Sequence, residues 1–382
     1  MTFRYLIMLL VLVLTAEPIC APRASAADTI KLALILARTG SGERSDASGW
    51  ASAQLAIEDI NEKGGLLGKK VELIMLDSQS TPIGAGKAAE MAVARKVAGV
   101  IGAGWSSQSL SIARVLQDAG IPMITPSSTH PDVTRVGNNI FRICFNDNFQ
   151  GRALAKFAYN EMQATTAVVF RNISETYSTF LSKSFEDSFV LMGGEVLFHA
   201  DYKTDTSDFT RLLEQVQSLQ PDVVLMSGYE RDSGIILRQA GSMEIHTHFL
   251  GGDGWGRGIK DIAGKAADGS FYLAQWHPDY PSLQSLKLVK SFKARFPKLD
   301  HTSIMVPLTY EAVVLMADAI ERAGSTEGSA LKQALSQTKN FQGITGAITF
   351  DNFGDPVNRT ATILKFIENE ADSQYLKAIS YP

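Results

Sequence analysis

The 382-residue chain is 45% hydrophobic and 20% charged, enough apolar material for two substantial cores and too much for a disordered polymer. Its formal net charge of −4 supplies no basic field, so nucleic acid and anionic membrane surfaces are excluded as expected partners.

Arg4, the apolar run Leu6 to Leu14 and the small-x-small triplet Ala24-Ser25-Ala26 predict a secretory signal peptide over residues 1–26, cleaved after Ala26, and hence a periplasmic protein. The mature chain then keeps one cysteine, Cys144, so no internal disulfide is expected despite an oxidising compartment. Ile30 to Ala37 reads as a strand followed by a polar loop, Arg38 to Ser48, that leaves the sheet on the site-facing side. A helix is predicted over Trp50 to Asn61, ended by Gly64-Gly65, then a strand at Val71 to Leu76 and an Ala-rich helix at Ile83 to Lys96. The rhythm is βαβα.

Val100 to Thr129 reads as strand, Gly/Ser turn, helix, strand and a second hydroxyl-rich turn. In a parallel sheet both turns leave from the same edge and can face one ligand. The first turn also opens a helix, where unpaired backbone N–H groups and the positive dipole end favour an anion. This stretch is therefore a candidate half-site for a carboxylate, although serines such as Ser106 to Ser111 taken alone are more often helix-cap chemistry.

Asn139 to Cys144 is a predicted strand, and Asn146-Asp147-Asn148 a polar break that fits a lobe boundary before a helix at Gln150 to Glu161. The alternation restarts with strands at Ala167 to Arg171, Glu195 to Ala200, Asp222 to Met226, His248 to Gly251 and Ser270 to Ala274. Helices are expected at Ser178 to Leu191, Asp208 to Leu219, Leu283 to Phe296 and Pro307 to Ala323. Gly343 to Phe350 and Ala361 to Glu368 read as a terminal hairpin-like pair. No low-complexity linker separates the halves, which suggests several crossings between lobes and a hinge.

Gly102-Ala103-Gly104 and Gly40-Ser41-Gly42 each lack the third glycine of a dinucleotide fingerprint, with Ser107 and Ser45 in its place, and no P-loop, HExxH or GxSxG motif is present. His246-Thr247-His248 reads as a surface turn rather than a metal pair. No cofactor and no metal are expected.

Six segments carry a family resemblance: AIEDINEKGGLLGKKVEL (Ala56 to Leu73), VIGAGWSSQS (Val100 to Ser109), AGIPMITPSSTHPDVT (Ala119 to Thr134), FRICFNDNFQG (Phe141 to Gly151), SGYERDSGIILRQA (Ser227 to Ala240) and FLGGDGW (Phe249 to Trp255). Through them the mature chain resembles, over essentially its whole length, the type I periplasmic binding proteins for leucine, isoleucine and valine that serve ABC importers. The resemblance implies an α/β protein of two Rossmann-like lobes with parallel-dominated sheets, joined by a hinge of three crossovers. The N-terminal lobe would comprise 27–145 and 277–340, and the C-terminal lobe 146–276 and 341–382. It further implies a monomer that traps one amino acid between the lobes and delivers it to a membrane permease, not an enzyme.

Carried over by position, Ser106 and Thr129 would bind the ligand carboxylate, and the Ser127 carbonyl the ammonium. In the second lobe Tyr177 and Tyr229 would face the ligand, and Asp253 would stand opposite the ammonium, where the family has an acidic residue. Arg44, Ser45, Trp105 and Trp255 would shape a side-chain pocket. Ser45 replaces an aromatic residue and Trp105 a disulfide cysteine of the leucine-binding relatives, so side-chain selectivity stays open. Were Arg44 to point inward, it would favour a ligand with an acidic tail. Proteins of this fold for amides, urea or aromatic carboxylates remain alternatives, as does a sensor that passes closure to a membrane receptor. A Ser106-dependent amide hydrolase is a third class, but no histidine stands in a triad context to serve as its base.

Overall fold

The computed structural model describes residues 29–279, 282–368 and 373–380; the expected signal peptide and its cleavage after Ala26 lie outside the described residues. Two parallel-dominated sheets form the two lobes. The first has five strands, β1 (Ile30–Leu36), β2 (Val71–Asp77), β3 (Gly99–Gly102), β4 (Met123–Thr125) and β5 (Ile140–Arg142), in the order β2-β1-β3-β4-β5. All four pairings are parallel, with Ile30 beside Val71 and Leu32 beside Gly99 setting the central register. Because strand side chains alternate, Leu32, Leu34 and Leu36 enter the core on one face while Ala33 and Ile35 enter that on the other. Burial on both faces is why the strand reads as an unbroken apolar run.

The second sheet holds β6 (Thr166–Asn172), β7 (Glu195–Tyr202), β8 (Val223–Met226), β9 (His248–Gly251) and β10 (Phe271–Ala274). After the short β11 (Phe341–Gly343) and β12 (Gly346–Ile348), the chain adds β13 (Thr360–Phe366) and β14 (Ser373–Ser380), giving the order β14-β13-β10-β9-β8-β6-β7. β13 and β14 run antiparallel and close that side of the sheet. The chain passes from the first sheet to the second after β5. It returns after β10 to lay helices Leu283–Arg295, Met305–Ala323 and Gly328–Ser336 on the first lobe, and crosses again before β13.

Three local expectations are corrected. Residues 341–350, expected with the second lobe, fold as the β11–β12 hairpin and pack Ile344, Ile348 and Phe350 into first-lobe cores; Phe350 meets Phe141 at 5.2 Å between ring centroids. β13 takes β10 and β14 as partners, not the segment Gly343 to Phe350. The apolar positions of that segment match the open flank of the first core, so burial decides its side. The first helix begins at Glu43 rather than Trp50, since Glu43 and Asp46 suit its positive end and the Asp46 carboxylate accepts from Ala37 N at 2.7 Å. Arg44 and Ser45 therefore sit on a helical turn, not a loop. The third correction lies at the lobe boundary, where Asn146 is a cap, its side chain accepting from Phe149 N at 3.2 Å, so the helix starts at Asp147.

The returning strap lies against β5. Gly354, at φ +84°, lets it approach closely enough for Arg142 N to donate to Gly354 O at 3.0 Å, and a Cβ there would collide with Ile140 O.

Candidate functional site

The carboxyl ends of β3 and β4 open into two turns that are laced together. Ser127 Oγ donates to Gly104 O at 3.0 Å, Ser128 Oγ and Thr125 Oγ1 to Ala103 O at 3.1 and 2.9 Å, and the Ser109 and Ser128 hydroxyls meet at 2.7 Å. Ser106, the first residue of helix Ser106–Ala119, is buried and its Oγ accepts from His130 N at 3.1 Å, so its own O–H is left to donate. The first turn of that helix offers N–H groups without an intrahelical acceptor. Arg142 fixes the second turn from behind. Fully buried, it donates to Ser128 O at 2.9 Å, His130 O at 3.0 Å and Pro131 O at 3.1 Å, while its Nε meets Asp355 Oδ1 at 2.6 Å.

Across the cleft Asp253 follows β9. Gln275 Nε2 donates to its Oδ2 at 2.7 Å and Gln150 Nε2 to its Oδ1 at 3.0 Å, while Gly254 N donates to the Tyr177 hydroxyl at 3.1 Å. Burial pushes the Asp253 carboxyl up to about 6 against the lowering effect of those hydrogen bonds. Burial likewise raises Asp46 to about 7 and Glu230 to about 7, the latter against the opposing charge of Arg44. The Tyr177 and Tyr229 phenols are raised well above their ordinary range by burial and by neighbouring acids, and stay neutral.

All ten residues singled out from sequence, Ser106, Ser127, Thr129, Tyr177, Tyr229, Asp253, Arg44, Ser45, Trp105 and Trp255, line one cavity of about 640 Å³ between the lobes. Trp105 stacks on Tyr229 at 4.2 Å and 11°, and Tyr229 on Tyr177 at 5.2 Å, making an aromatic column that spans both lobes. Trp255 also belongs to the second-lobe core, stacked on Phe366, so it is a wall rather than a movable contact. Arg44 is engaged by Asp261 of the opposite lobe, which argues against its holding an acidic ligand tail. Ser45 Oγ donates to Gly42 O at 2.9 Å. A further cross-lobe bond joins Ser107 Oγ to Glu175 Oε2 at 3.0 Å.

Sequence reasoning missed Arg142, Asp147, Gln150, Glu175 and Gln275. An arginine inside an apolar strand was a readable signal for Arg142. The convergence of Gln150 and Gln275 on Asp253 was not, because it joins residues 103 and 22 positions apart.

The cleft sets hydroxyl and N–H donors on one wall and a buried acid on the other. Among the described residues no group of three or more histidine, cysteine, aspartate or glutamate side chains could hold a metal, and no helix is long and apolar enough to cross a membrane.

The Periplasmic binding protein family model matches residues 29–371. A leucine-, isoleucine-, valine-, threonine- and alanine-binding protein of Pseudomonas aeruginosa is 31% identical, with 89% of this chain and 91% of that protein covered. Among solved structures, the leucine-binding protein LivK of Thermotoga maritima superposes with a TM-score of 0.87 at 32% identity, covering 92% of this chain and 99% of that one. The branched-chain amino acid substrate-binding protein LivJ of Streptococcus pneumoniae, solved with isoleucine, superposes at 0.86 with 25% identity and covers 92% and 100%. The chain belongs to the periplasmic Leu/Ile/Val-binding protein family of type I substrate-binding proteins, solute-binding components of ABC importers rather than enzymes.

Proposed function

We propose that this protein binds a hydrophobic amino acid, branched-chain or related, and closes on it for delivery to the permease of its importer. One observation carries the reading: donors from the first lobe and Asp253 from the second face each other across a single cavity. In this reading Ser106, Thr129 and the helix start take the carboxylate, Asp253 and the Ser127 carbonyl take the ammonium, and Tyr177 and Tyr229 line the approach. Trp105 and Trp255 wall the side chain, with Ser45 at the rim. The column begun by Trp105 and a volume within the roughly 300–1,000 Å³ of ordinary ligand sites favour aromatic as well as aliphatic side chains. The ligand ends are held by different lobes, so only the closed state makes both sets of contacts and binding shifts the population toward it. The mature protein is a periplasmic monomer that begins at Ala27.

Calorimetric titration of ligand-stripped protein with the proteinogenic amino acids tests this. At least one hydrophobic member should bind in the micromolar range, about −8 kcal/mol. Failure of all of them at about 100 μM, near −5.5 kcal/mol, overturns the reading.

A further inference from the structure

Behind Asp253 lies a second acid. Asp147, at the start of helix Asp147–Lys156, is fully buried, and Gln150 one turn later binds both carboxyls with the same nitrogen: Nε2 lies 3.0 Å from Asp147 Oδ1 and 3.0 Å from Asp253 Oδ1. The Gln150 carbonyl is spent on Asp253 N at 2.6 Å, so the amide cannot turn around to offer its oxygen to a protonated acid without losing that bond. Asp147 Oδ2 is buried with no hydrogen bond of normal geometry, the Thr129 side chain being the hydroxyl beside it.

The groups packed around the pair do not neutralise it. Arg142, from β5, is a cation whose charge reaches Asp147, but its donors are committed to Asp355 and to the carbonyls of the Ser127–Pro131 turn. Arg359 stands in the same region against Glu311 and Thr345. Tyr177 and Tyr229, from the second lobe, are neutral phenols that face both acids, and burial pushes the Cys144 thiol up to about 12, so it is neutral too. Gln150 and Gln275 carry no charge. Two buried carboxyls that share one donor and touch no cation cannot both stay ionised; one proton between them is the economical state. The directions agree: Asp147 is held well above the carboxylate range by burial and then by Asp253.

We propose that Asp147 is the second acid of the amine pole, and that in the empty cleft it and Asp253 hold one proton between them, which an incoming ammonium displaces. This rests on the reading of Asp253 as the ammonium partner. The exchange balances. The ligand arrives as R–NH3⁺, a carboxyl O–H of the pair loses its proton to solvent, and the pair goes from one negative charge to two. Thr129, which touches Asp147 from the first lobe and lines the cavity, connects the hidden acid to the ligand seat. Binding is thereby coupled to pH through a residue that does not line the cleft.

The test has two arms. In the first, L-leucine is titrated calorimetrically at pH 7 in phosphate and in Tris. The observed enthalpy should differ between the buffers by about 0.5–1 proton released per leucine, and affinity should rise by up to about tenfold per pH unit from pH 5 to pH 7. Asp147→Asn should abolish the buffer difference and flatten the pH profile. In the second, infrared difference spectra of ligand-free wild type at pH 7 should show a protonated carboxyl band that Asp147→Asn lacks. Leucine binding without buffer dependence overturns the proposal. If leucine produces no heat, the binding reading is what fails for that probe, and the infrared difference between ligand-free wild type and Asp147→Asn still decides the proton, since the raised carboxyls of Asp46 and Glu230 are common to both: a band lost in the variant supports the shared proton and an unchanged spectrum overturns it.

Discussion

Burial of Asp253 works against the ligand-free protein. Its folded carboxyl titrates at about 6 against an ordinary value of 3.8, so across that window the folded state binds more protons than the unfolded. Ligand-free stability therefore falls as pH rises from about 4 through about 6. Asp253→Asn removes the penalty: thermal melts at pH 7 should show an unchanged or higher ligand-free Tm, while calorimetry shows a loss of about 2–5 kcal/mol in amino-acid affinity. A variant that melts lower and binds normally would make Asp253 a structural residue. On the other wall, Ser106→Ala removes a hydroxyl expected to donate to a carboxylate, worth about 1.5–3 kcal/mol for a charge-assisted bond. Its loss should appear as weaker binding with little change in Tm, since the bond it removes from the fold is the single acceptance from His130 N.

At the scale of elements, the second of the two turns is fastened from behind by Arg142. Arg142→Met would free three loop carbonyls and leave Asp355 buried against Thr134 and the more distant Arg135. A stability loss of about 3–5 kcal/mol is expected on denaturant unfolding, and Arg142→Met with Asp355→Leu should regain part of it. The alternation of strands and helices was legible because hydrophobic period and turn chemistry are local, whereas Tyr177, Tyr229 and Asp253 were singled out through the family resemblance, and the fold brings them with Ser106 and Thr129 onto one cavity. The lodging of residues 341–350 in the first lobe was not. A short Gly-rich hairpin has no preference of its own, and only the three-dimensional vacancy beside Phe141 and Ile143 decides where Ile348 and Phe350 are buried. Asp147 was invisible for the same reason: it reads as part of a polar break, and only the fold brings it to Asp253.

In the whole molecule the lobes already touch, through Arg44 with Asp261, Ser107 with Glu175, and Trp105 on Tyr229. The first is exposed on both sides, at 60% and 42%, and such pairs contribute about 0–1 kcal/mol. Arg44→Ala should therefore weaken amino-acid binding less than about fivefold, with the change in the dissociation rate and diminished by salt; stopped-flow tryptophan fluorescence would follow it through Trp105. The fastening of Arg142 to both Asp355 and Gly354 has a mechanical result. Two of the three straps between lobes leave the first lobe pinned side by side, so torsional play is confined to the few residues between those pins and the second lobe. Closure of the kind proposed above would turn about this pinned pair, an axis laid down by the fold before any ligand arrives.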